Sequence, residues 1–446
     1  MPSQMNLARA GSDPVVTAAP LPPGADGTTE LEDVACTTKG TCVAVGSFSR
    51  ANQSEGALIV LGKGGNWTAL EPPAPRGVGT VVSSSLWAVS CAGARRCVAI
   101  GGYFGQGRAR PLLEIWNGKT WKTKTPRLPS NAAKNYSPTL EAISCGGRNA
   151  CVAAGTYTTR AHRARPFFVT WRSGRVRTVA GALPGRKGSG EIWAVDCAAP
   201  ASCVAVGSME PERTDGSSAL PQRPLAYRLK GDKWRAMTPP LPGAGKQTHT
   251  GFLYDVSCPR RDRCTAVGPY HRSTKPRDQG LVAVFRPRGW TSRKVAAPHG
   301  HRRDFATLGA VACRATNVCI AAGNYSTPEG PHVLAMLARL KGGAGRGVAM
   351  EPGDSRPSVL EGVACVKGSA CVAVGMAELQ RRQTPLLAIM RGSRVTASFL
   401  ALPEPATFGH LHATALSSST TAVAIGWFGG GGQSQTGMLV SGIRLD

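Results

Sequence analysis

Two sets of residues in this sequence carry types and spacings that could do chemistry: its fourteen cysteines, and a mixture of carboxylates, aromatics and one histidine at a recurring position. The cysteines come in pairs six positions apart: Cys36 with Cys42, Cys91 with Cys97, Cys145 with Cys151, Cys197 with Cys203, Cys258 with Cys264, Cys313 with Cys319, and Cys365 with Cys371. An even number at regular spacing reads as a disulfide framework, the chemistry of an oxidising compartment. A zinc site would want closer spacing and more ligands, and no redox Cys-x-x-Cys is present, so no metal is assigned and the bridges are read as structural. Closing so short a loop should stabilise its unit by roughly 2 kcal/mol.

Four residues before each first cysteine the copies differ: Glu32, Trp87, Glu141, Trp193, Tyr254, Gly309 and Glu361, with His412 at the same place in a copy that has no cysteines. A position that escapes its repeat is free to be specialised. Glu32, Trp87, Glu141, Trp193, Tyr254, Glu361 and His412 are therefore the candidate ligand-binding residues, because carboxylates among aromatics suit the hydroxyls and apolar C–H faces of sugars. The alternative, that these side chains only pack between neighbouring sheets, stays open at this point. Glu32, Asp33, Glu141 and Glu361 could supply the two carboxylates that glycoside hydrolysis needs. Tyr254, His410 and His412 with nearby arginines could serve a lyase, where a cation neutralises a uronate and a base takes the neighbouring proton. Neither set is a contiguous motif, so the catalytic residues and the question of catalysis itself are left unassigned.

The elements that must position these residues are visible in the repeat. LEDVACTTKGTCVAVGSF from Leu31 recurs with variation from Leu86, Leu140, Ile192, Leu253, Leu308 and Leu360. The last copy, LHATALSSSTTAVAIGWF from Leu411, has Leu416 and Ala422 in place of the cysteines. The first cysteines are 52 to 61 residues apart, a period in the range of propeller blades. Leu-x-x-Val-x-Cys reads as a first strand and Cys-Val-Ala-Val-Gly as a second. A third follows, such as Pro111 to Trp116, and after a hairpin a fourth opens with Trp121; Trp67, Trp234 and Trp290 stand at the equivalent place. The expected fold is an all-β, eight-bladed propeller of four-stranded antiparallel blades, with residues 1–13 a flexible lead and 14–446 one domain. The last copy offers three strands, and the segment around Thr17 to Gly24 resembles the exit from a fourth strand at Thr238 to Gly243. The two ends are therefore expected to share a blade, which removes the open sheet edge.

Phe48, Tyr103, Tyr157, Tyr270, Tyr325 and Phe428 recur at one consensus position and are read as packing. The second-to-third and blade-to-blade connections are long and variable and should emerge on one face, where binding residues belong. They are also basic. Arg108, Arg110, Arg160, His162, Arg163, Arg165, His271, Arg272, Lys275, Arg277, Arg381 and Arg382 lie between second and third strands, and His299, His301, Arg302 and Arg303 between blades. With Arg95, Arg96, Lys119, Arg260, Arg261 and Arg263 on the opposite face, the charge is not confined, and a generally basic surface is the plainer reading. The formal charge of +27 draws the chain to polyanions. Nucleic acid is disfavoured because no recognition helix or RNA-binding signature accompanies that charge.

The pattern V-[AS]-C-x5-C-V-A-V-G-x-[YF], followed by a strand ending W-N-G-x-x-W, resembles repeats of secreted bacterial β-propellers whose functions are mostly unassigned. The resemblance runs from about Pro14 to the C-terminus and implies a fold, not an activity. The Ser-x-Asp-x-Gly-x-Thr-Trp box of sialidase-like blades, the WD40 signatures and the quinoprotein pattern are absent, so no quinone or other cofactor is expected. The resulting expectation is an exported, monomeric module that holds a glycan or another polyanion on its long-loop face. A polysaccharide lyase or hydrolase and a protein-interaction scaffold are the alternatives. No apolar run is long enough for a membrane helix, and Met1 to Pro14 lacks the apolar core of a secretory leader, so export would use a leader outside this segment or another route.

Overall fold

Short apolar runs, cut by Gly, Pro and Asn turns, form strands throughout, and the described residues contain no helix. The structure is a computed structural model and describes residues 14–446 apart from 78, 186–187, 212–220, 244–248, 273–274, 299–304, 327–332, 350–355, 369 and 431–432. Eight antiparallel sheets make an eight-bladed β-propeller. Blade 1 is a meander of Ala25–Cys36, Cys42–Arg50, Glu55–Lys63 and Asn66–Leu70. The inner strands of blades 2 to 4 are Val81–Cys91, Thr139–Gly147 and Ser189–Ala199; those of blades 6 to 8 are Phe305–Ala315, Ser358–Cys365 and Phe408–Leu416. In blade 5 the inner strand falls into two pieces, His249–Gly251 and Asp255–Arg260. Pro269 stands opposite this gap and has no N–H to give back to Phe252, whose own N–H reaches the Pro269 carbonyl at 3.1 Å.

Blade 8 is closed by the chain's other end. Val15–Ala18 pairs antiparallel with the third strand, Gln433–Arg444, in the register Val15 opposite Ser441 and Ala18 opposite Met438. The core lies in the seams between blades. Val43, Val45 and Ile59 of blade 1 pack on Leu86, Val89 and Tyr103 of blade 2. Leu31 and Phe48 pack on Val423, Ile425 and Leu439 of blade 8, so the ring is complete. Phe48, Tyr103, Tyr157, Tyr270, Tyr325 and Phe428 are all buried, as packing residues should be.

All seven cysteine pairs are disulfides, with Cα atoms 3.9–4.1 Å apart. Each joins the first strand to the second at the short-loop end of its blade. In blade 8 Leu416 faces Ala422 at that place. Seven cross-strand bridges fit an oxidising environment.

The inner strands share a bulge. Leu31 pairs with Gly46, but Asp33 pairs with Val45, leaving Glu32 as the extra residue. The same shift occurs at Trp87, Glu141, Trp193, Gly309, Glu361 and His412. It explains the glycine that ends every Val-Ala-Val-Gly run. A Cβ on Gly46, Gly101, Gly155, Gly207, Gly268, Gly323, Gly375 or Gly426 would come within 1.8–2.2 Å of a carbonyl oxygen of the bulged strand.

Candidate binding site in the central channel

The innermost strands stand side by side around the ring, and in seven blades the bulge sets one residue out of the ladder, while in blade 5 Tyr254 holds the corresponding place between the two pieces of the inner strand. That residue stands four positions from the first cysteine, roughly 13 Å along the strand from the short-loop rim, so the set lies at one level of the inner strands. Glu32, Glu141, Tyr254 and Glu361 are exposed there, while Trp87, Trp193 and His412 are half-buried. At Gly309 a side chain would meet nothing within 4 Å, which leaves a gap in the wall at blade 6.

Two clusters form on opposite sides. On blades 4 and 5, Trp193 lies 5.3 Å from the Tyr254 ring and 6.1 Å from Phe252, and Phe252 stacks on Tyr254 at 6.1 Å. On blades 7, 8 and 1, Glu361 Oε1 lies 3.3 Å from His410 Nε2, close enough to share charge although the ring N–H is not aligned on it. The His410 and His412 rings are 6.0 Å apart, and Trp427 is 6.0 Å from His410. His412 donates from Nε2 to the Leu31 carbonyl of blade 1, which leaves Nδ1 as an acceptor. Trp193, Glu361 and His412 thus reach forward onto the next blade's inner strand while keeping part of their surface exposed.

The acid wall is electrostatically split. Part of Glu32 is exposed, but the surrounding protein partly desolvates its carboxyl and pushes it up to about 7, with Glu30, Glu55 and Asp33 adding repulsion. Partial desolvation also acts upward on Glu361, but the close approach of His410 and the charge of His412 outweigh it and hold the carboxyl below its ordinary value. His412 is lowered, first by burial and then by His410, against the pull of the Leu31 carbonyl.

Other sequence candidates are placed differently. Asp33 is engaged as a clamp between blades. Its two oxygens accept the N–H groups of Val34 and, across the seam, Val89 of blade 2, both at 2.8 Å. Asp255 clamps Val256 and Val311 in the same way at 2.7 Å, and Asp196 accepts from Ser144 Oγ and from the Cys197 and Cys258 N–H groups. Burial, against these hydrogen bonds, raises Asp33 to about 6 and Asp255 to about 7 and moves Asp196 upward. Tyr254 stands three blades from His410 and His412, so the lyase set of Tyr254 and the two histidines is divided between walls. Glu141 stands exposed on blade 3. His299, His301, Arg302 and Arg303 lie outside the described residues, as do the side chains of Arg272, Lys275 and Arg277. Phe252, Trp427 and Glu30 were not singled out by the repeat. The signal that could have found Phe252 and Glu30 is their place two residues before the ring position, on the same side of the strand.

No family model matches the chain, and no curated protein matches it. Among solved structures, an ulvan lyase described as a new family of polysaccharide lyase is 9% identical, with 95% of this chain and 96% of that one covered and a TM-score of 0.45. The β-propeller domain of the Trilobed protease from Pyrococcus furiosus is 10% identical over 81% of this chain and 98% of its own, with a TM-score of 0.44. The WD40 domain of SCAP from fission yeast is 9% identical over 96% and 98%, with a TM-score of 0.42.

Proposed function

We propose that this chain is an exported carbohydrate-binding propeller that seats a glycan in its central channel, entered from the long-loop face. The observation that carries the reading is the facing of two unlike walls: the aromatic trio Trp193, Phe252 and Tyr254 opposite Glu361, His410, His412 and Glu32. A pyranose has an apolar face that stacks on such rings and a hydroxyl edge that hydrogen-bonds to carboxylate and imidazole, so the two walls address its two chemistries. The disulfides support export to the cell surface or beyond it.

A glycan array followed by titration of the hits tests this. Trp193→Ala combined with Tyr254→Ala should weaken the best hit by roughly 10- to 100-fold, the range for losing aromatic anchors. Unchanged affinity in that variant and in Trp87→Ala would remove the channel from the account.

One observation favours a second reading, a glycoside-cleaving enzyme. Glu32 is raised to about 7 while Glu361 is moved downward, the direction of split that an acid and its partner carboxylate need. Turnover of a bound glycan into new reducing ends, lost in Glu32→Gln and in Glu361→Gln with binding retained, would replace the binding-module reading by this one.

A further inference from the structure

On the long-loop face, the connectors of blades 1 to 3 border an open cavity of about 550 Å³. Arg76, Arg108, Arg110, Arg127, Lys134 and Arg160 line it, and no carboxylate among the described residues does. They converge from separate parts of the chain. Arg108 and Arg110 open the third strand of blade 2, Arg108–Trp116. Arg76 precedes blade 2, Arg127 and Lys134 follow it, and Arg160 comes from the second-to-third loop of blade 3. A comparable cavity of about 620 Å³ between blades 3 and 4 has Asp232 at 3.5 Å from Arg172, so its charge is partly answered from within. Among the described residues no carboxylate answers the six cations of the first cavity, and like charges gathered in one concavity raise its potential.

The wall is built in advance. Ala133 N–H reaches the Thr158 carbonyl at 2.9 Å, Arg160 N–H reaches the Asn131 carbonyl at 3.0 Å, and Arg160 Nη2 reaches the Ser130 carbonyl at 2.8 Å. Tyr157 Oη donates to Asn131 Oδ1 at 2.9 Å. The connector from blade 2 is thereby fixed to blade 3, and little ordering is left to be done on binding. Between the cations the lining is apolar, from Pro111, Leu128 and Pro129, with the Tyr136 ring 46% exposed and steered by a 3.0 Å hydrogen bond between its hydroxyl and His162 Nδ1.

We infer that this cavity is a second binding site, for an anionic oligosaccharide whose sugar rings carry sulfate or carboxylate groups. Guanidinium groups match the paired oxygens of both anions, and the proline, leucine and tyrosine surface matches pyranose C–H faces. A bare polyphosphate would satisfy the charge and leave that surface unused. The site does not depend on the channel, so a channel variant that loses its glycan leaves this inference standing.

The test is calorimetric titration of the full chain, in physiological salt, with a chondroitin sulfate tetrasaccharide, a hyaluronan tetrasaccharide, neutral dextran and a polyphosphate of matched charge. At least one of the two anionic sugars should bind more tightly than polyphosphate, and dextran should not bind at this site. Arg108→Gln with Arg110→Gln and Arg127→Gln should weaken the anionic sugar by about tenfold or more. Arg235→Gln with Arg293→Gln and Lys294→Gln, which removes the same charge from exposed outer strands, should change it by less than about twofold. Arg127→Gln alone, in a connector, reads the same direction if the triple variant melts early. Binding of hyaluronan as well as chondroitin sulfate shows that carboxylate suffices; binding of chondroitin sulfate alone shows that sulfate is read. Equal weakening by the two triple variants, polyphosphate binding as tight as the sugar, or no anionic sugar bound would each overturn the site.

Discussion

Glu114 lies in the third strand of blade 2 at 0% exposure; its Oε2 accepts a hydrogen bond from Thr123 Oγ1 at 3.1 Å and its Oε1 has no partner. Burial, only partly offset by Thr123, pushes its pKa from 4.5 up to about 8. A carboxyl raised on folding binds its proton more tightly in the native state. Its stabilising contribution is therefore complete below the unfolded pKa and is lost as pH rises through the folded one, here between about 4.5 and 8. Glu114→Gln mimics the protonated form, so it should lie within about 1 kcal/mol of wild type in urea unfolding at pH 5 and exceed it by roughly 3–5 kcal/mol at pH 8.5, at about 1.4 kcal/mol for each pKa unit. Curves that stay parallel across that window would show that the carboxyl is not held neutral. The glutamate within Pro-Leu-Leu-Glu-Ile-Trp is plain in the sequence, but its burial is not, because a strand pattern gives the side of the sheet and not what covers it. Asp33 illustrates the same limit from the other side: beside Glu32 it reads as one of several candidate carboxylates, yet its two oxygens are taken by the Val34 and Val89 N–H groups.

At the scale of the strand, cysteine spacing, the apolar frame and the count of copies made the blades legible, because disulfide partners and meander lengths follow from local spacing. The bulge was not legible. It breaks the alternation of two at Leu-x-x-Val, and a register shift leaves no mark in composition. Its trace was the invariant glycine, which reads as an ordinary strand residue until the opposing carbonyl is known. Gly155→Ala tests this account: the new Cβ would lie 1.9 Å from the Thr139 carbonyl oxygen and 2.8 Å from Leu140 Cα, both backbone-bound. It should cost roughly 2–4 kcal/mol, read as a lower melting temperature. Gly309→Ala, where nothing lies within 4 Å, should be close to neutral. Equal melting temperatures for the two variants would mean that the bulge relaxes without cost. The inner strands carry a further device invisible to spacing, the capture of the next blade's N–H groups by Asp33, Asp196 and Asp255, and by Ser90 and Ser257 on the Cys145 and Cys313 N–H groups. These bonds satisfy backbone donors on edges that would otherwise stand open in the channel.

For the whole molecule the decisive feature is how the ring is shut. Blade 8 lacks the cysteine pair that staples the other seven blades, and it is the blade assembled from both ends of the chain. Its third strand would present a bare edge without Val15–Ala18, because that segment supplies the whole outer strand of the sheet. The closure continues past the ladder: Ala19 N–H reaches the Gly437 carbonyl at 2.7 Å, and Gly437 N–H reaches Thr29 Oγ1 of blade 1 at 2.8 Å, tying blade 8 to its neighbour through one glycine. A chain beginning at Pro20 should therefore lose melting temperature and self-associate through Gln433–Arg444, while one beginning at Pro14 should behave as the full chain does. Adding a peptide that spans residues 14–20 to the shorter chain should restore both the melting temperature and the light-scattering mass of the full chain. If the chain beginning at Pro20 melts with the full-length protein, the eight sheets hold their ring through the seams alone, and the outer strand of blade 8 is dispensable.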